Sequence, residues 1–168
     1  MRHVTKDKGK DRVTGKDVTC LKSHRWYLSN WYNSNPKQLL AEKKDMNDRF
    51  PDFEMRKIGN ELAWIGTVKP KVHNTKAYKI AIIYPKDYPN HPLVTFVIQP
   101  NIKGSMHRNP DGSLDLMYPE GFTCSEKMTA VQTVVMTVQW LYCWEYHAEH
   151  CPNGINCTKI PCPYWPGI

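Results

Sequence analysis

Side chains that could do chemistry are concentrated in one stretch, His107 to Phe122, which reads HRNPDGSLDLMYPEGF. It offers an imidazole at His107 and a carboxylate at Asp115, two kinds of group that transfer protons or hold partners at protein sites. The run from Asn109 to Gly112 is typical of a tight turn, because Pro presets φ, Asp bonds to its own backbone and Gly accepts a positive φ. The stretch therefore predicts a loop that carries a functional site.

The segment after this turn, Ser113 to Tyr118, alternates polar and apolar residues as a short half-buried strand does. Leu114 and Leu116 would then face the core. We therefore predict that Asp115 faces out of the core, at the centre of the site.

The order of motifs from Tyr84 to Pro119 resembles that of ubiquitin-conjugating enzymes. A Tyr-Pro-x-x-Tyr-Pro run precedes a strand, a loop with a histidine, and the sequence Gly-Ser-Leu-x-Leu-x-Tyr-Pro before a helix. The likeness is strongest to the bacterial conjugating-enzyme-like proteins of CBASS-type antiphage operons, whose active-site strand reads Gly-x-Leu-Cys-Leu-x-x-Pro. Asp115 stands where that family has its nucleophilic cysteine. The residues that match the pattern are Gly112, Leu114, Leu116 and Pro119.

The resemblance implies an enzyme that carries a protein C-terminus as a cysteine thioester and passes it to an amine. It also implies the partners, a cGAS-like nucleotidyltransferase and in some systems an activating enzyme, and it calls for no cofactor. By the same resemblance, Asp115 marks the nucleophile position, His107 is its polar partner and Asn109 is a possible oxyanion donor. The residues expected to contact the substrate are Ser113, Leu116, Tyr118 and Cys124.

Asp115 cannot perform the thioester step, because a carboxylate near its reference pKa is a weak acyl acceptor and a mixed anhydride would hydrolyse. Three interpretations stay open: an engineered replacement of cysteine, a non-catalytic binding module of the same fold, or catalysis by another thiol. Cys124 is the candidate thiol, since a place at a helix start would lower its pKa. Because Cys124 lies nine residues after Asp115, we favour the alternative that it is a small buried residue of the first helical turn.

Hydrophobic periodicity predicts an α+β fold in which a four-stranded antiparallel meander is flanked by an N-terminal helix and a long C-terminal helix. Conjugating enzymes begin with the same order of elements. The first helix starts at Asn35, with Gln38 in a capping box, and ends at Phe50. One side of this helix is predicted to carry Leu39, Leu40, Met46 and Phe50. The predicted strands are Glu54–Ile58, Leu62–Val68, Ala77–Tyr84 and Leu93–Ile98.

The long helix is predicted to open at a capping box from Thr123 to Glu126 and to end near His150. Its core stripe is predicted to be Met128, Val131, Val135, Val138 and Tyr142, widened by Val134 and Leu141.

Four cysteines and two histidines near the C-terminus are residue types that could bind zinc. Cys143, His147 and Cys151 are four residues apart on one helix face, and Cys157 or Cys162 could complete a tetrahedral set. No CxxC pair occurs, and helix packing alone accounts for Cys143 and His147. We therefore predict no bound metal.

The length of 168 residues fits a chain with a single domain, which we place at 25–168, after a basic arm at 1–24. Residues 1–25 hold eight Lys and Arg against three Asp, so most of the net charge of +7 lies there. We interpret the arm as a solvated tail. Nucleic-acid binding is the remoter alternative, because the arm lacks the interleaved aromatic residues of a base-stacking surface.

The chain contains no apolar run of the length that a membrane span requires, and its lysine-rich start lacks the apolar region of a signal peptide. We therefore expect a cytoplasmic protein. Its six cysteines would be free thiols or metal ligands, because disulfides are rare in reducing compartments.

Overall fold

The computed structural model describes residues 30–70, 76–103, 107–116 and 128–154. The predicted arm at 1–24 lies outside these ranges. The elements, in chain order, are α1 Trp31–Ser34, α2 Pro36–Arg49, β1 Glu54–Ile58, β2 Glu61–Val68, β3 Tyr78–Ile83, β4 Val94–Gln99 and α3 Ala130–His150. The four strands form one sheet in the order β1-β2-β3-β4, and each pairs antiparallel with the next. The predicted α+β fold is confirmed.

Helix α2 forms where its capping residues predict it. The Asn35 side chain accepts a hydrogen bond from the Gln38 backbone N–H at 3.2 Å, and Pro36 occupies the first helical position, where no amide is needed. The buried face is narrower than predicted, because Met46 is fully buried while Leu40 is 66% exposed. The assignment of Leu40 to the core side is therefore wrong.

The sheet presents one face to the helices, and alternate residues of its central strands build the core. The buried set on this face is Trp64, Val68, Tyr78, Ile80 and Ile82. Gly66 lies in the same row, and a Cβ atom there would overlap the ring of Phe53, so this position has no room for a side chain. The segment before β1 thereby packs directly on the sheet.

Helix α3 starts later than predicted. The Thr129 hydroxyl accepts from the Gln132 N–H at 3.3 Å, and the Gln132 side chain accepts from the Thr129 N–H at 2.9 Å, which is a complete capping box. Because Thr129 has extended dihedrals, a helix continuous from Thr123 is wrong. The predicted box from Thr123 to Glu126 itself lies outside the described residues.

The core stripe of α3 is also rotated from the prediction. Val135 is 47% exposed and Tyr142 is 43% exposed, whereas Val134 and Leu141 are fully buried. The other buried positions of α3 hold apolar residues, among them Met136 and Trp140, and four polar ones, namely Thr133, Thr137, Glu145 and His147. Hydrogen bonds offset part of the cost of burying polar groups, as in the bond of 2.6 Å from the Tyr78 hydroxyl to Glu145. A count of apolar residues alone could not locate this face.

Among the described residues, none of the helices combines the length and the hydrophobicity that a bilayer crossing requires.

Candidate functional site

The loop from His107 to Leu116 is anchored to the sheet and closed on itself. The Leu114 N–H donates to the Thr95 carbonyl of β4 at 2.9 Å, and the Asn109 N–H donates to the Ser113 carbonyl at 2.9 Å. The predicted turn from Asn109 to Gly112 is confirmed. In the described part of the predicted strand after it, a single bridge between Arg108 and Leu114 forms in place of a strand.

Asp115 points out of the protein. Leu114 is 4% and Leu116 is 3% exposed, while Asp115 between them is exposed. Its backbone N–H donates to the His107 carbonyl at 2.9 Å, which fixes the direction of the chain at this point. The predicted outward direction of Asp115 is thus confirmed.

His107 is half-buried and has a φ of 50°, a left-handed conformation that is uncommon for a residue with a side chain. Its burial lowers the pKa of the imidazole, and the nearby Asp115 carboxylate opposes this shift only in part. Burial likewise lowers the pKa of His147 on α3, and the charge of His107 lowers it further. The uncharged forms of both imidazoles are therefore favoured, and the two rings are electrostatically coupled.

Asn109 braces the loop. Its side-chain N–H groups are directed at the Ser113 hydroxyl, at 3.0 Å, and at the Leu114 carbonyl, at 3.4 Å. In this arrangement the donors of Asn109 are engaged within the loop, and its role as an oxyanion donor stays a prediction.

Two predicted substrate contacts, Ser113 and Leu116, are buried, at 1% and 3% exposed, and their role as contacts stays a prediction. The Ser113 hydroxyl donates to the Asp111 carboxylate at 2.7 Å, and the Ser113 N–H donates to the same oxygen at 2.9 Å. These bonds hold the pKa of Asp111 below its usual range. Both residues therefore support the loop. The other two predicted contacts, Tyr118 and Cys124, lie outside the described residues.

Arg108 was missed by the sequence analysis. Its guanidinium donates to the Ile102 carbonyl at 3.1 Å and to the Gly112 carbonyl at 2.9 Å, so it ties the turn to the end of the sheet. A basic residue directly before a closed turn is the sequence signal that could have indicated it, because the carbonyls of such a turn need donors.

Glu42 on α2 is a second residue that sequence reasoning missed. Its buried carboxylate accepts hydrogen bonds from the Tyr84 hydroxyl at 2.9 Å, the Tyr88 hydroxyl at 2.6 Å and the Ala130 N–H at 2.9 Å. Burial is the main cause, and the Glu42 carboxylate the second, of a raised pKa of both tyrosine hydroxyls. Both hydroxyls therefore stay neutral and act as donors. A carboxylate at the first turn of α3 is also favoured by the helix dipole. Glu42 therefore fixes where α3 starts.

The candidate zinc ligands on α3 and at its C-terminal cap are all buried: Cys143 is 3%, His147 1% and Cys151 7% exposed. Burial raises the pKa of the Cys143 thiol, so the reactive thiolate is disfavoured. Within the described ranges no three His, Cys, Asp or Glu side chains are arranged to hold a metal ion. Cys157 and Cys162 lie outside those ranges.

The fold and the site together define a class of protein. A four-stranded antiparallel meander packs on α2 and α3, and a loop after β4 presents one exposed residue between two buried leucines. This is a ubiquitin-conjugating-enzyme-like architecture. The model of the family described as Type II CBASS E2 protein matches residues 42–150, from within α2 to the end of α3. The chain therefore belongs to the Type II CBASS E2 family, which confirms the resemblance. No curated protein and no solved structure gives a significant match.

Proposed function

We propose that this protein binds the C-terminal segment of a cGAS-like nucleotidyltransferase at the face of Asp115, in the cytoplasm of a bacterium that uses CBASS against phage. Membership of the Type II CBASS E2 family supports the system and the kind of partner. The observation that carries the proposal is Asp115 itself, exposed on a loop held by hydrogen bonds, at the position that the sequence resemblance assigns to the family's nucleophile.

The chain as written acts in this proposal as a binding module. A carboxylate stores no acyl group, because its mixed anhydride hydrolyses. The thiols in the described part of the chain, Cys143 on α3 and Cys151 at its C-terminal cap, are both buried and are not exposed to an incoming C-terminus. The face of Asp115 would therefore hold the segment without a covalent bond.

The test compares the intact nucleotidyltransferase of the same operon with a form from which the C-terminal segment has been removed. We expect isothermal titration calorimetry to show binding of the intact protein and at least tenfold weaker binding of the truncated one. The variant Asp115→Trp, whose bulk blocks this face, should weaken binding, while the matched variant Asp45→Trp, at an exposed position of α2, should leave it unchanged. Equal binding of the intact and truncated proteins would refute the proposal.

Ligation is the second candidate, and the family match favours it, since the family is described as an E2 protein and E2 is the general term for ubiquitin-conjugating enzymes. It requires a thiol at the site, supplied by cysteine in place of Asp115 or by Cys124. The variant Asp115→Cys, given a C-terminus activated by a cognate activating enzyme, should form an adduct that a thiol reductant cleaves. An adduct on the unmodified chain that Cys124→Ser abolishes would identify Cys124 as the nucleophile and would reject the binding-module proposal.

A further inference from the structure

The carboxylate of Asp115 has no hydrogen bond and no ion pair with the residues that the structure describes. The backbone on both sides is fixed, because Leu114 and Leu116 are buried and the Asp115 N–H is bonded to the His107 carbonyl at 2.9 Å. The negative charge therefore stands at a defined place on the surface.

The described neighbours do not neutralise this charge. Burial lowers the pKa of His107, so the uncharged imidazole is favoured. The guanidinium of Arg108 keeps its positive charge, but it is bonded to the carbonyls of Ile102 and Gly112 at 3.1 and 2.9 Å. Asp111, whose bonds to Ser113 hold its pKa below the usual range, adds a second negative charge to the loop. The described part of the loop therefore carries two carboxylates against one guanidinium, a net negative charge.

We infer that the Asp115 site selects a C-terminal segment whose last carboxyl group has been converted to an amide over the same segment with a free carboxylate. The inference rests on the proposed function, because it takes the end of the segment to lie at Asp115. A free C-terminus would bring a second negative charge against Asp115. An amide removes that charge and offers N–H donors to the carboxylate, which makes a charge-assisted hydrogen bond.

The size of the effect follows from the charges. Two like charges about 4 Å apart in water repel by about 1 kcal/mol, which corresponds to about fivefold in affinity. Partial exclusion of water by the bound segment would increase the difference. The bond that joins a C-terminus to a lysine side chain is itself an amide. The residue at position 115 would thus turn a face for a free C-terminus into one that recognises the joined form.

The experiment uses three synthetic peptides with the C-terminal sequence of the nucleotidyltransferase: a free acid, a primary amide, and an isopeptide to the side chain of lysine. Calorimetric titration of the full-length protein should show both amides binding about fivefold more tightly than the acid at low salt. The difference should shrink in high salt, because screening weakens repulsion between exposed charges. Asp115→Asn should remove it, whereas Asp45→Asn, which changes the net charge equally, should preserve it.

Equal affinity for acid and amides, tighter binding of the acid, or a preference that survives in Asp115→Asn would overturn the inference while leaving the proposed function in place. Tighter binding of the isopeptide alone would also overturn it, because the lysine chain and not the lost charge would then be recognised. If no peptide binds and the intact nucleotidyltransferase does not bind either, the proposed function fails and this inference fails with it.

Discussion

Asp115 stands exposed between two leucines that are 4% and 3% exposed, and this alternation determines what the loop can do. A side chain in that place meets whatever binds at this face. With a thiolate there, the proposed site could carry an acyl group, whereas the carboxylate can only attract or repel. The chemistry of the proposed site therefore depends on one side chain.

Gly112 is a residue on which the loop geometry depends. It has a φ of 87°, and a Cβ atom there would lie 3.2 Å from the Arg108 guanidinium that holds the turn. We predict that Gly112→Ala lowers the free energy of unfolding by about 2 kcal/mol, because it adds backbone strain and displaces Arg108. Urea denaturation measures this change.

The matched control is Gly59→Ala, in the hairpin between β1 and β2. Gly59 has a φ of 59° and nothing within 4 Å of the added atom, so the strain alone should cost about 1 kcal/mol. A loss at Gly112 that is no larger than the loss at Gly59 would show that the Arg108 contact does not stabilise the loop.

The two coupled imidazoles predict a dependence of stability on pH. The pKa values of His107 and His147 both lie below the ordinary value of 6.5, so the folded protein binds fewer protons than the unfolded chain. Their contribution to stability is therefore present above pH 6.5 and is lost as the pH falls through the folded pKa values. Denaturation from pH 7.5 down to about 5.5 should show decreasing stability.

His147→Gln serves as the comparison for the pH series. It removes the titrating ring on α3, so the fall in stability with pH should be shallower than in the unmodified protein. A stability that is constant across this range, or an identical slope in both proteins, would contradict the assignment.

At the scale of the elements, Glu42 joins α2, the segment before β4 and the first turn of α3. It accepts hydrogen bonds from Tyr84, Tyr88 and Ala130, and Tyr84 in turn accepts one from the Trp64 indole at 3.0 Å. The loop that carries Asp115 lies between β4 and α3 in the chain. Glu42 thus sets the positions of the two elements that bound the site.

We predict that Glu42→Ala lowers the free energy of unfolding by about 3–5 kcal/mol, because it leaves the buried donors of Tyr84 and Ala130 without an acceptor and Tyr88 with only the Met128 carbonyl. Glu42→Gln keeps the shape and one acceptor oxygen, so it should cost less than half as much. The control Glu54→Ala removes an exposed ion pair with Arg56 and should cost under about 1 kcal/mol. Equal losses in Glu42→Ala and Glu54→Ala would show that the buried network adds no stability.

The elements that the sequence predicted correctly are those with local signals. Asn35 and Pro36 start α2, and prolines limit the strands, so these boundaries agree with the structure to within one residue. The start of α3 could not be predicted, because Thr123 and Thr129 both head plausible capping boxes. The choice of Thr129 accords with a long-range bond, from the Ala130 N–H to Glu42 at 2.9 Å. A local sequence pattern does not predict a contact between residues so far apart in the chain.

At the scale of the whole molecule, the family match from residue 42 to residue 150 spans the sheet, the site and α3. The outward direction of Asp115 followed from simple alternation in the sequence. The hydrogen bonds that Asn109 and Ser113 make within the loop could not be predicted, because each residue has groups that could serve either a substrate or the loop. In the structure both side chains form hydrogen bonds within the turn.

The central claim is that the face of Asp115 receives the C-terminal segment of the partner. The most direct measurement is a titration of the ¹⁵N-labelled protein with a peptide of that segment, followed by two-dimensional NMR of the backbone amides. We predict that the largest shifts occur at His107, Leu114 and Asp115, and that the edge strand β1 is unaffected. Shifts centred on β1, or no shifts at saturating peptide, would contradict the claim.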